Sequence, residues 1–188
     1  MATVWDQLES DCLKVFRFPH NVIEFKGRGT TPEDAARAKV AEVKSGLGGA
    51  ATRREFVGPR LFLRVVGSWN RAYSGEWWFD ADLLHRLEAA YARIYFQSAD
   101  KRAVLRDMLR ELLAITTEWN EINEVWALAL PAGERLVGYV GRGAPQRLFG
   151  SRPLTAGGNR MLIGQAEQIF FPPVHSPLWV TKYHSLQG

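Results

Sequence analysis

The chain has 188 residues, of which 46% are hydrophobic and 23% charged, and its formal net charge is +4. This length favours a single domain, over residues 1–188, and allows a sizeable core. The composition is ordinary for a soluble globular protein, and no stretch approaches the roughly 18 continuous apolar residues of a membrane span. The acidic, amphipathic N-terminus is not a secretory signal, so we expect a cytoplasmic protein.

The charge distribution and the cysteine content limit the kinds of ligand and metal site that we expect. Lysine and arginine occur singly or in pairs, which suits a phosphate-bearing ligand but does not indicate nucleic-acid binding. Cys12 is the single cysteine, so an intramolecular disulfide is excluded and a cysteine-based metal cluster is not expected. The four histidines form no HxH or HxxxH pair. We therefore predict no metal cofactor.

Four helices are predicted, all in the first 115 residues, because apolar residues recur there at spacings of three and four. They cover residues 1–16, 32–44, 82–96 and 100–115. The second helix has a strong start, since Thr31 offers a capping hydroxyl and Pro32 suits the first turn. On the last helix, Arg106 and Arg110 are interpreted as part of a solvated face.

Strands are predicted mainly in the second half, as apolar runs bounded by turn residues. They cover residues 60–67, 124–130, 135–141, 161–171 and 178–183. Helices concentrated before residue 115 and strands concentrated after it predict an α+β fold with one early strand.

The early strand contains an arginine, Arg64, within a run of apolar residues. A guanidinium stays protonated, and its fork of donors suits a carboxylate or a phosphate. In a central strand, Arg64 would need an acidic partner or an anionic ligand at the strand's end. The alternative is an edge position or a structural ion pair.

Three short motifs follow in order: the Arg64 strand, Tyr73-Ser74-Gly75, and Gln165-Ala166-Glu167-Gln168. This order resembles the R-S-E arrangement of ADP-ribosyltransferase-like folds. Together with Glu118-Trp119-Asn120, the turn at 130–134 and the loop at 141–146, it is similar to C-terminal toxin domains of bacterial polymorphic toxins. The resemblance covers about residues 60–171 and implies a mixed or antiparallel split β-sheet core. An alternative for Glu118-Trp119-Asn120 is a helix end with Trp119 packed.

The resemblance implies a site that cleaves NAD. Arg64 would hold the pyrophosphate bidentately, and Glu167 would stabilise oxocarbenium charge, with Gln165 on the same strand face. The other implied cofactor contacts are Tyr73, Ser74, Trp77, Trp78, Gln146 and Gln168. If Gln168 were the inward residue, water positioning would replace the acid and favour NAD hydrolysis over transfer.

The expected function is therefore that of an NAD-consuming toxin or effector. It would act as an ADP-ribosyltransferase or an NAD glycohydrolase, with a macromolecule or water as acceptor. Such a toxin is expected to have a cognate immunity protein and to act in the cytoplasm of its producer or of a target cell. Two alternatives stay open: a nucleic-acid-directed toxin or RNA-binding domain, and a non-catalytic interaction module with tryptophan anchors.

Overall fold

The computed structural model describes residues 2–17, 31–67, 76–94, 101–148, 160–172 and 179–185. The helices in these ranges are α1 (Val4–Phe16), α2 (Pro32–Gly46), α3 (Ala81–Ile94) and α4 (Lys101–Leu112). The strands are β1 (Thr52–Val57), β2 (Arg60–Val66), β3 (Trp77–Asp80), β4 (Glu124–Leu130), β5 (Arg135–Arg142), β6 (Gln146–Arg147), β7 (Met161–Leu162), β8 (Glu167–Phe170) and β9 (Val180–Ser185).

Seven of the described strands form one sheet in the order β1-β5-β8-β3-β2-β4-β9. Every pairing within it is antiparallel, and β6 with β7 forms a separate antiparallel pair. The predicted α+β class is confirmed, and the sheet is antiparallel throughout the described ranges. The ADP-ribosyltransferase-like assignment stays a prediction.

The helices and most strands lie where the sequence predicts them, but three strands, β1, β3 and β6, do not appear in the prediction. β1 and β3 precede residue 115, as β2 does. The expectation of a single early strand is therefore wrong. β1 exposes every side chain except that of Phe56, so it lacks the alternating apolar pattern that marks a strand. The strand predicted over 161–171 is two short strands, since Gly164 between them has a φ of +64°.

Side-chain caps define where the first two helices begin, and the cap predicted at Thr31 is confirmed. The Thr3 hydroxyl accepts a hydrogen bond from the Asp6 backbone, and the Asp6 carboxylate accepts one from the Thr3 backbone at 2.7 Å. Thr31 caps α2 in the same position, with Pro32 in the first turn. Both contacts satisfy backbone N–H groups that have no partner inside a helix.

One face of the sheet is covered by two helix pairs. Helices α1 and α2 pack on Tyr139 and Phe170, whereas α3 and α4 pack on Leu63, Val65 and Phe79. This division leaves the two halves of the sheet under different helical layers.

The other face is concave and encloses its own core. Phe56 of β1 and Phe62 of β2 have ring centroids only 5.1 Å apart, although three strands separate them in the sheet order. Phe171 contacts both rings. The sheet must therefore curl until its two halves meet, and strand alternation places Arg64 on this inner face with Phe62.

The strands β2 and β3 part close to Arg64. Their pairing consists of Phe62 with Asp80 and Leu63 with Phe79. It stops one position before Arg64 and Trp78 would face each other. This parting opens the sheet where the two helical layers meet.

Asp11 ties α1 to the sheet. Its carboxylate accepts hydrogen bonds from Lys14 at 2.9 Å, from Tyr139 of β5 at 2.8 Å and from Arg53 of β1 at 3.2 Å. Burial raises the pKa of Asp11, but these three donors outweigh it and leave the pKa below its ordinary value of 3.8. The ionised carboxylate is therefore favoured by folding.

We predict that Asp11→Asn lowers the free energy of unfolding near pH 7 and reduces its loss in acid. The folded pKa lies below the unfolded one, so the carboxylate's contribution is present above about pH 4 and disappears as the pH falls through the folded pKa. Urea unfolding at pH 7 and pH 3 measures this. The control is Glu88→Gln, which removes an exposed carboxylate of α3. Equal losses of stability at both pH values in the Asp11→Asn protein would contradict the prediction.

Candidate functional site

A cavity of about 710 Å³ opens where β2 and β3 part. Its walls come from α2, β2, β3, β6 and β8, from the segment after α4, and from the loop between β5 and β6. The polar or aromatic residues that line it are Glu42, Ser45, Arg64, Trp77, Trp78, Phe79, Glu118, Trp119, Asn120, Gln146 and Gln168. The volume lies within the range of small-molecule sites, roughly 300–1,000 Å³.

Arg64 supplies the positive charge of this cavity. Its guanidinium carbon lies 5.5 Å from the centroid of the Trp78 ring. Burial lowers the pKa of Arg64 to about 10, while the charge of Glu76 acts in the opposite direction. Arg64 therefore remains a cation at neutral pH, at a desolvation cost that an anionic ligand can offset.

A row of alternating charges extends from Arg64 toward α2. Burial lowers the pKa of Arg64, and the negative charge of Glu76 partly raises it again. The Glu76 carboxylate also accepts a hydrogen bond from Lys39, whose side chain is fully buried. Lys39 also donates to both carboxylate oxygens of Glu42, at 2.9 and 3.1 Å. Arg64, a cation, and Glu42, a carboxylate, therefore both line the cavity. The buried ion pair of Lys39 and Glu76 lies between them in this row of charges.

Gln168 of β8 is held in one orientation. Its side-chain Nε2 donates to the Leu113 carbonyl at 2.8 Å. A Cβ on Gly143 would lie 2.2 Å from that nitrogen, so glycine at position 143 leaves the room that the amide occupies. An ionised carboxylate at position 168 has no proton to donate to the Leu113 carbonyl, so this position suits an amide.

The segment after α4 is fixed by Arg110. This guanidinium donates to the carbonyls of Ile115 at 2.9 Å, Asn120 at 3.1 Å and Glu121 at 3.2 Å. Arg110 is only 9% exposed, so its interpretation as part of a solvated face is wrong. The segment after α4 folds back over the end of that helix and covers Arg110. The spacing of apolar residues within the helix cannot predict this contact.

Asn120 joins the same segment to the Arg64 strand. Its side-chain amide donates to the Val65 carbonyl at 3.0 Å, and its oxygen accepts from the Ile122 backbone at 2.7 Å. The alternative of a helix end with Trp119 packed is wrong, since α4 ends at Leu112 and Trp119 is 59% exposed.

The structure gathers five of the predicted site residues around one cavity. They are Arg64, Trp77, Trp78, Gln146 and Gln168. Trp77 packs edge-on against Phe170 with centroids 5.5 Å apart, whereas Trp78 lies in the concave core. Tyr73 and Ser74 lie outside the described residues.

Gln165 and Glu167 are not brought together with Arg64. They line a second cavity of about 430 Å³ beside Asp80, Asp82 and Arg86. The Glu167 carboxylate is 3.8 Å from the Arg54 guanidinium and mostly exposed. Gln165 precedes β8, which begins at Glu167, so the predicted strand alternation applies only to Glu167 and Gln168, which line different cavities. The catalytic roles of Gln165 and Glu167 stay predictions, but Gln168 takes the position in the Arg64 cavity.

Sequence reasoning missed the ion pair behind the cavity. Lys39 lies on the face of α2 that also carries Ala35, Ala36 and Val43, all buried. This spacing of three and four is the signal that places Lys39 inward. Glu76 gave no comparable signal, because it precedes a short strand that the sequence did not predict.

Two further observations concern the described ranges. No three histidine, cysteine, aspartate or glutamate side chains there form a group that could hold a metal ion. No helix among those residues is both long and apolar enough to cross a membrane.

Comparison with known proteins does not assign this chain to a family. No family model matches the chain, and no curated protein matches it. Among solved structures, a chain from the structure of Tne2 in complex with Tni2 is similar at 13% identity and a TM-score of 0.38, covering 72% of this chain and 89% of that chain. A TM-score of this size does not establish a common fold.

We predict that Arg64→Met keeps the protein folded but abolishes stabilisation by inorganic pyrophosphate. The substitution removes the desolvation cost of the guanidinium, and Glu76 keeps its ion pair with Lys39, so that no buried carboxylate is left without a cation. At 100 times its dissociation constant, pyrophosphate should stabilise the native chain by about 2.7 kcal/mol, or roughly 5–10 °C in Tm.

Thermal unfolding with and without pyrophosphate measures this effect. Arg64→Lys should keep part of the shift, because it keeps the charge but loses the fork. Arg60→Met removes a more exposed arginine of the same strand and should respond like the native chain. An unchanged pyrophosphate shift in the Arg64→Met protein would show that Arg64 does not bind the anion.

We also predict that Arg110→Met destabilises the protein by about 1–3 kcal/mol, because it leaves three carbonyl groups without their donor. Arg106→Met, on the same helix, should cost less than about 1 kcal/mol. Urea unfolding of both variants makes the comparison. Equal costs would indicate that the Arg110 contacts contribute nothing beyond those of a surface arginine.

Proposed function

We propose that this protein is an NAD-consuming toxin or effector enzyme that hydrolyses the bond between nicotinamide and ribose. The resemblance in the sequence supplies the substrate, and one observation favours hydrolysis over transfer. Gln168, and not Glu167, shares the cavity with Arg64. The side-chain amide can position a water molecule by a hydrogen bond. Unlike a carboxylate, it cannot take a proton from the group that would accept ADP-ribose in a transfer reaction.

In the proposed complex, the pyrophosphate of NAD lies against Arg64. The phosphate oxygens accept hydrogen bonds from the guanidinium and offset its desolvation. Trp77 and Trp78 lie beside the nicotinamide, whose flat ring packs on aromatic faces. This arrangement uses the two tryptophans of β3 and the cation of β2, which share the cavity.

The chemical step breaks the bond between C1′ of the ribose and the ring nitrogen of nicotinamide. Its electron pair goes to the ring, which leaves as neutral nicotinamide. A water oxygen bonds to C1′ and releases one proton to solvent, so the products are nicotinamide, ADP-ribose and a proton. The side-chain oxygen of Gln168 accepts a hydrogen bond from that water and directs it.

The developing positive charge on the ribose requires a nearby carboxylate. Glu42 and Glu118 both line the cavity. Glu118 lies in the segment that Arg110 fixes beside the Arg64 strand. We therefore assign the stabilising role to Glu118. A toxin of this kind would be held inactive in its producer by a cognate immunity protein, and its action would lie in the cytoplasm of the target cell.

The two alternative functions have less support. A non-catalytic interaction module predicts no concave pocket around Arg64, but a cavity lies there. A nucleic-acid-binding protein would present its positive charge as an exposed groove along a strand of phosphates. In this cavity, by contrast, Arg64 is the single lysine or arginine among the described lining residues.

We predict that the purified protein releases nicotinamide from NAD, and that Gln168→Ala lowers kcat by about 100-fold, the scale of a lost positioning or acid–base group. Glu118→Gln should also lower kcat. Glu167→Ala is the matched control on the same strand and should keep activity within about twofold. Released nicotinamide is followed by chromatography, and circular dichroism verifies that each variant is folded.

The products separate the two reactions. Free ADP-ribose indicates hydrolysis, whereas labelled macromolecules in added cell lysate indicate transfer. Loss of activity in the Glu167→Ala protein with full activity in the Gln168→Ala protein would return the catalytic role to Glu167. No release of nicotinamide, even with lysate present, would reject the proposed function.

A further inference from the structure

Trp119 combines exposure with a position at the cavity. It is the most exposed of the large apolar side chains in the described ranges, at 59%, and it lines the cavity that contains Arg64. Apolar surface left in water forgoes the stabilisation that its burial would give. An indole in this position therefore disfavours the empty cavity relative to one with a ligand that covers the ring.

The backbone that carries Trp119 is held by several hydrogen bonds. Its backbone N–H lies 3.2 Å from the Thr116 carbonyl and 3.3 Å from the Thr116 hydroxyl. The neighbouring Thr117 donates its N–H to the Leu148 carbonyl at 2.9 Å. Arg110 binds carbonyls on both sides of this turn, so the turn that carries the indole is held from several directions.

The chemistry of the cavity indicates what could cover the ring. Arg64 suits a phosphate, and a phosphate joined to a flat heterocycle is a nucleotide. Stacking of a base on an exposed aromatic side chain strengthens binding by about 5- to 150-fold. A cation and an exposed indole on one cavity thus match the two ends of such a ligand.

We propose that Trp119 is a ligand-binding residue that stacks on the adenine base of a nucleotide whose phosphates contact Arg64. This inference rests on the proposed function, in which that nucleotide is NAD. Trp77 and Trp78 remain for the nicotinamide end. Trp119 thereby contributes to affinity for the adenosine half and takes no part in bond cleavage.

Calorimetric titration with ADP and, separately, with inorganic pyrophosphate tests the proposal. Trp119→Ala should weaken ADP binding about tenfold and leave pyrophosphate binding unchanged. Trp119→Phe keeps an aromatic face and should lose threefold or less. The control is Tyr183→Ala, which removes an exposed aromatic side chain of β9 that does not line the cavity. In NAD turnover, Trp119→Ala should raise KM about tenfold with kcat nearly constant.

The outcomes separate this inference from the proposed function. If the Trp119→Ala protein binds ADP as tightly as the native chain, the stacking role is wrong. In that case, nicotinamide release by the native chain would still support the proposed function. ADP binding that depends on Trp119 supports the inference even if NAD is not cleaved, and in that case the proposed function fails. No ADP binding by the native chain, or equal loss of ADP and pyrophosphate binding in the Trp119→Ala protein, overturns the inference.

Discussion

A guanidinium that is charged at neutral pH and lies on the inner face of a curled sheet constrains much of this structure. Arg64 lies in a strand whose neighbours on the same face, Phe62 and Val66, are fully buried. A charge in that position must be compensated by other charges or by a ligand. The sheet meets this constraint by parting at Arg64, which leaves a cavity beside the cation instead of packed side chains.

The surroundings of the cavity follow from the same constraint. Lys39 and Glu76 form a buried pair behind Arg64, and each needs the other because an isolated buried charge is costly. On the other side, Arg110 and Asn120 fasten the segment after α4 to the sheet. A pocket that is set up before a ligand arrives loses less entropy on binding, which suits a site for a ligand with several recognisable groups.

Much of the fold is readable from the sequence, because it depends on local signals. Caps at Thr3 and Thr31 and apolar spacing define the helices, and the apolar run at 124–130 defines β4. β1 was missed since its side chains are mostly exposed. In the site, Arg64 stood out as an arginine within an apolar strand. Alternation correctly separates Glu167 from Gln168, but it cannot tell which of them lines the cavity with Arg64, because that depends on where β2 and β3 part.

The central claim is that NAD is cleaved in the cavity beside Arg64. The most direct measurement is the rate of nicotinamide release from NAD by the native chain and by the Arg64→Met protein, each verified as folded. The account predicts release by the native chain and at least a hundredfold lower kcat/KM in the variant. Equal rates in the two proteins would place cleavage elsewhere, and no release by either would contradict the claim altogether.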